Sequence, residues 1–233
     1  MNLKKNLVTL VMGSMLSLGL TQKAEAGWLT PDKVTWKKSP IVVYTDTLPS
    51  PALDYVKMGI QMVANQLEDV DVTFVDGNAP ASAENYVQIS KQDVVKVNNE
   101  ICTGEGKPIY DSYHPELGIV KGEIIIDTQA LTIDSGYYEE SYGAPNKLTS
   151  EDYVSFQKFL TTTGAHEFMH VLGLEDYNSS LCVMNHEIDV INPVYGLTST
   201  DLDLLEERYT IVPEPFALFS LTLGSLALLK RKF

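Results

Sequence analysis

The stretch HEFMHVLGLED, residues 166–176, constrains this chain more than any other. His166 and His170 stand four positions apart, so on a helix they leave one face together and a ring nitrogen of each can reach a single ion. Glu167 lies beside them, where a carboxylate can take a proton from water next to that ion. The pattern asks for a helix through the histidines, a helix end at Gly173, where a positive φ is available, and a return of the chain that turns Asp176 toward the metal. Zinc suits such donors, since imidazole nitrogen and carboxylate oxygen bind it at about 2.0–2.2 Å. The chemistry these residues point to is metal-assisted hydrolysis, with Glu167 as general base and then proton donor to the leaving group.

The two ends of the chain are set apart from the middle. Residues 1–26 place Lys4 and Lys5 before an apolar run, Leu7 to Leu20, and then Ala24-Glu25-Ala26 before Gly27. That order is expected of a secretory signal peptide cut near Gly27. Residues 213–233 open with Pro213-Glu214-Pro215, continue with an apolar stretch from Phe216 to Leu229, and finish on Lys230, Arg231 and Lys232. As a helix the apolar stretch rises about 21 Å, short of a hydrocarbon core of about 30 Å. Length alone would also allow a buried helix, while the basic end favours a short membrane segment with its positive end inside. These residues resemble the PEP-CTERM sorting tail of Gram-negative bacteria. That resemblance implies transient membrane insertion, an exosortase-type partner, removal of the tail and delivery to the cell surface or its matrix.

Residues 27–212 then form one domain, with no internal repeat or composition break. The whole chain has a net charge of −14, and each end contributes +2, which leaves the domain near −18. So acidic a surface excludes nucleic acid as a natural partner. The two cysteines, Cys102 and Cys182, are an even pair in an exported chain, read as one disulfide or as two buried thiols.

Periodicity places strands at 41–45, 72–75, 86–89 and 123–126, and an amphipathic helix at 51–67. The turn-rich stretch 98–118 reads as a long loop that could hold an edge strand, and 132–149 as a second loop. A helix capped by Thr149 or Ser150 runs through Phe156, Phe159 and Leu160 into the histidines, and a last helix spans about 199–209. The fold class is α+β.

Residues 166–176 resemble the zinc motif of the metzincins, HExxHxxGxxH, with aspartate in the final place. Met184, in SSLCVMN, stands where these proteases carry the methionine of a tight turn beneath the metal, at a separation similar to that in matrixins. A single methionine is otherwise core filler. The snapalysins also use aspartate as third ligand, and this chain resembles them there. TWKKSPIVVYTD, the region from PIYDSYH to GEIIID, and LTSTDLDLLEERY are further matrixin echoes, so the resemblance spans most of 35–210. It implies a twisted mixed sheet above an active-site helix, with a C-terminal helix, and His166, His170 and Asp176 as zinc ligands. It also implies a secreted endopeptidase whose protein or peptide substrate extends along the sheet's edge strand.

His186 lies two positions beyond Met184, where astacin-like relatives carry a tyrosine near the metal. It is read as an additional ligand, a hydrogen-bond donor in the transition state, the third ligand in place of Asp176, or a surface histidine. A Cys102–Cys182 bond would tie the methionine turn to the loop before the edge of the sheet. Structural calcium is common in matrixins, and Asp127, Asp134, Glu139 and Glu140 lie in suitable loops, although no ligand set follows from them. Two rival functions share these residues: a surface or matrix protein that binds without catalysis, and a zinc hydrolase of a non-peptide substrate.

Overall fold

The computed structural model describes residues 34–36, 39–45, 51–93, 95–97, 100–110, 118–128, 150–177, 182–185 and 194–211, with only the backbone at 96–97, 100–102 and 150–153. The expected signal peptide, sorting tail, His186, the calcium candidates Asp134, Glu139 and Glu140, and the side chain of Cys102 all lie outside the described residues.

The chain opens with β1 (Ile41–Thr45), α1 (Ala52–Ala64), β2 (Val72–Asp76) and β3 (Tyr86–Gln92). A hairpin of β4 (Val95–Val97) and β5 (Glu100–Cys102) follows, then β6 (Gly104–Tyr110) and β7 (Ile119–Asp127). The long helix α2 (Ser150–Val171) carries the histidines, and α3 (Ser199–Glu206) closes the domain. Five strands form one sheet in the order β2-β1-β3-β7-β6. The first four are mutually parallel and β6 runs antiparallel to β7 at the edge, so the sheet is mixed and the fold is α+β.

One face of the sheet is covered and the other meets solvent. Ile41 and Val43 of β1, Val87 and Ile89 of β3, and Ile124 and Ile126 of β7 are fully buried, in the period-two alternation of a half-buried strand. The two long helices pack on that face, α2 against β6 and β7, and α1 against α2. Val56, Ile60 and Val63 of α1 meet Phe159, Leu160 and Phe168 of α2 in a single core. The helices approach until their backbones nearly touch: a Cβ on Gly59 would strike the carbonyl oxygen of Thr161, and one on Gly164 that of Val56. Alanine at either place would force the helices apart.

The sequence expectations differ from the structure in three places. The helix expected over 51–67 stops at Ala64, because the chain turns there and Leu67 pairs with Ile211 instead. Strand β7 begins at Ile119, four residues before its most apolar stretch, because pairing with β6 carries the ladder through Lys121 and Gly122. The stretch 98–118, read as a long loop that could hold an edge strand, holds β5 as well as the edge strand β6 among its described residues. Its Gly104, Gly106 and Pro108 resemble turn residues, yet they lie in register with Ile126, Ile124 and Gly122 of β7. Proline is admissible there because β6 is an edge strand, and the glycines are required by what lies beneath them.

Candidate metal centre

Helix α2 ends by a Schellman motif. Gly173 has a φ of 104°, its N–H donates to the carbonyl of His170 at 2.8 Å, and the N–H of Leu174 donates to that of Met169 at 3.1 Å. Two remote side chains take up the neighbouring carbonyls: Trp36 Nε1 donates to Val171 O at 3.2 Å, and the buried Tyr209 hydroxyl donates to Leu172 O at 2.8 Å. Anchored in this way, the chain doubles back and brings Asp176 over the histidines.

The geometry that results is compact. The Nε2 atoms of His166 and His170 lie 3.0 Å apart, and Asp176 Oδ1 lies 3.3 Å from the first and 3.2 Å from the second. Each ring uses its other nitrogen to donate to a carbonyl, His166 Nδ1 to Val183 O and His170 Nδ1 to Leu174 O, both at 2.8 Å. A carbonyl only accepts, so the Nδ1 atoms carry the hydrogens and the neutral rings present bare Nε2 lone pairs to each other and to a carboxylate. Three acceptors facing one point need a cation, which is a proton on ring Nε2 in the metal-free state and a metal ion otherwise. Zinc held at about 2.0–2.1 Å by tetrahedral ligands has ligand–ligand edges of about 3.3 Å, which these three separations match closely, so the residues fit the metal.

The charge balance agrees with that need. Burial opposes a charged His166, but the hydrogen bond to Asp176 and the Glu167 charge outweigh it and push its pKa up to about 9. Burial likewise opposes ionised Asp176, yet its hydrogen bonds to His166 and His170 hold its carboxyl well below the usual range. Asp176 is about half exposed, at 49%, while the histidines are enclosed at 8% and 13%, so the carboxylate forms the open side of the centre.

Glu167 is sealed beneath strand β6. A carboxylate oxygen of Glu167 falls within 4.8 Å of the ligating nitrogens of both histidines. Its carboxylate accepts a hydrogen bond from the N–H of Gly106, and Oε2 has no partner among the described residues. Burial raises the carboxyl's pKa, against the pull of the two histidines.

Met184 is fully buried in a turn at 182–185, and the carbonyl of Val183 in that turn is the one that orients His166. Tyr177 N–H donates to Met184 O at 2.7 Å, which fixes the returning strand to the turn. Cys182 is buried in the same turn.

Asp201, in the first turn of α3, has a function that its place in the sequence does not show. Asp201 is fully buried and accepts from the N–H of Val183 at 2.9 and 3.1 Å, of Met184 at 3.3 Å and of Thr198 at 2.8 Å, and from the Thr198 hydroxyl at 2.8 Å. With the return bond from Asp201 N–H to Thr198 Oγ1 it forms a capping box, so the cap of α3 is also the brace of the methionine turn. The T-S-T-D spacing before an apolar helix was the available signal for the cap; nothing local signalled the brace.

No family model matches the sequence, and no curated protein matches it. Among solved structures the chain is similar to the GM1-bound form of the ECX AB5 holotoxin, at 17% identity over 73% of this chain and 81% of that one, with a TM-score of 0.43. It is also similar to archaemetzincin from Methanopyrus kandleri, at 11% identity over 77% of this chain and 98% of that one, with a TM-score of 0.46. Likenesses this loose carry no argument about activity, and the donor geometry stands on its own.

Proposed function

We propose that this chain is a zinc-dependent hydrolase, and more specifically an exported endopeptidase of the metzincin kind. The observation that carries the reading is the triangle of His166, His170 and Asp176 acceptor atoms, 3.0–3.3 Å on each side, with the buried Glu167 carboxylate next to it. Bound there, zinc would supply Lewis acidity, acidifying water and polarising a carbonyl. Asp176 rather than His186 completes the ligand set in this reading. Its negative charge leaves the ion a weaker Lewis acid than three neutral imidazoles would.

The protein's own residues do the rest. Glu167 takes the proton of the attacking water and passes it to the leaving amine, and its raised pKa suits both halves of that transfer. Among the described residues strand β6 pairs only with β7 in the five-stranded sheet, which leaves its other edge to an extended peptide joined by backbone hydrogen bonds. The signal-peptide pattern at 1–26 and the PEP-CTERM-like tail at 213–233 support export and sorting to the cell surface, with an exosortase-type enzyme as partner.

The test is zinc per chain alongside cleavage of a denatured protein substrate, for wild type and Glu167→Gln. One zinc in both, with hydrolysis reduced about 10²- to 10⁴-fold in the variant, is expected. Zinc without cleavage dependent on Glu167 would replace this reading with a binding protein or a hydrolase of a non-peptide substrate.

A further inference from the structure

Rows of inward-facing residues cross the sheet and end on glycine at the edge strand over the candidate metal centre. One row runs Thr45, Ile89, Ile124, Gly106 from β1 to β6, and the next ends with Ile126 and Gly104. Thr45, Ile89, Ile124 and Ile126 are buried, whereas the two β6 positions have no side chain to bury. Two glycines within a seven-residue edge strand weaken it, because glycine loses more backbone freedom on folding and packs nothing.

The two positions have different reasons for being glycine. At Gly106 the obstacle is the backbone of α2: an added Cβ would collide with the carbonyl oxygen of Glu167 and lie 2.9 Å from its carbonyl carbon and from His170 Cβ. Any side chain there would lift the helix off the strand. At Gly104 the three nearest atoms to an added Cβ all belong to the Glu167 side chain, Oε1 at 2.7 Å, Cδ at 3.0 Å and Cγ at 3.1 Å. Here only the carboxylate would have to move.

We propose that Gly104 is a positioning residue for Glu167: the space where its Cβ would stand is the space the carboxylate occupies, and keeping it empty sets the carboxylate's place beside the histidines. The inference rests on the hydrolase reading for its consequence but not for its geometry. Seated in that space, the carboxylate accepts the Gly106 N–H and keeps Oε2 without a partner among the described residues. A residue better suited to a strand is excluded by this one side chain, so the fold gives up strand stability to hold a catalytic group.

That exchange separates positioning from ordinary packing. Gly104→Ala is expected to lower kcat about 10- to 100-fold, as small misplacements of reacting groups do, with KM and zinc per chain unchanged. Gly104→Ala in a Glu167→Ala background is expected to raise the thermal midpoint above that of Glu167→Ala alone, because the obstacle has gone and alanine is the better strand residue. A Gly104→Ala enzyme with wild-type kcat would overturn the proposal. So would a fall in midpoint and zinc content in both backgrounds, which would make Gly104 a packing residue. Absence of cleavage by the wild-type protein would remove the hydrolase reading instead, and the coupling between the two positions, or its lack, would still be read from the midpoints.

Discussion

Both carboxylate oxygens of Asp201 accept the N–H of Val183, at 2.9 and 3.1 Å, and the carbonyl of that same residue receives the Nδ1 hydrogen of His166. One peptide neighbourhood thus links the last helix to a candidate metal ligand. Asparagine at 201 would keep the shape but lose the charge and turn an N–H₂ toward donors. Hydrogen bonds to charged groups contribute about 1.5–3 kcal/mol each. Asp201→Asn is therefore expected to lower the thermal midpoint by about 5–10 °C for a domain of this size and to weaken zinc binding, checked by calorimetry and by titration against a chelator.

Asp176 is the proposed ligand most open to replacement. Loss of partners around a metal ligand typically costs about 10- to 100-fold in affinity, and removal of the ligand itself should cost more. Asp176→Ala is expected to lower zinc affinity beyond that range while the fold survives, and Asp176→His to retain the metal. Equal affinity in Asp176→Ala, with loss in His186→Ala, would transfer the third position to His186.

The zinc-free protein should lose stability toward alkaline pH. His166 has its pKa raised from 6.5 to about 9 in the folded state, so its contribution is complete below pH 6.5 and disappears as pH rises through about 9. Asp176 is depressed, so its contribution is present above the ordinary aspartate range and is lost only in stronger acid. Zinc needs the same nitrogen deprotonated, so its stabilisation grows over the alkaline window. Thermal midpoints with and without chelator are expected to diverge between pH 6.5 and about 9; parallel curves would show that His166 is not the site of competition.

Tyr209→Phe removes the hydroxyl that donates to Leu172 O and leaves that carbonyl without its buried donor. A loss of about 1–3 kcal/mol is expected by denaturant titration, with the slope unchanged.

The letters of the site were legible because helix periodicity is local: the spacing of His166 and His170, and a glycine able to end the helix, place the ligands without knowledge of the rest. Strand β6 was legible only as a possible edge strand within a loop, since its glycines answer to Glu167, more than sixty positions away, and in isolation resemble turn residues. Asp201 was half legible. Its capping box with Thr198 is a local pattern, but its bonds to Val183 and Met184 depend on how α3 docks. Local rules exposed what the site contains, and long-range packing decided how it is held.

The attachment of Tyr209 and Asp201 to the active-site region also concerns time. A ribosome releases the chain from its N-terminus, so the whole sequence from His166 to Asp176 emerges before the residues that hold its helix end and its methionine turn in place. Until position 209 is free, the motif is present but unbraced. A metal site arranged in this order is complete only once the last helix of its own domain has docked.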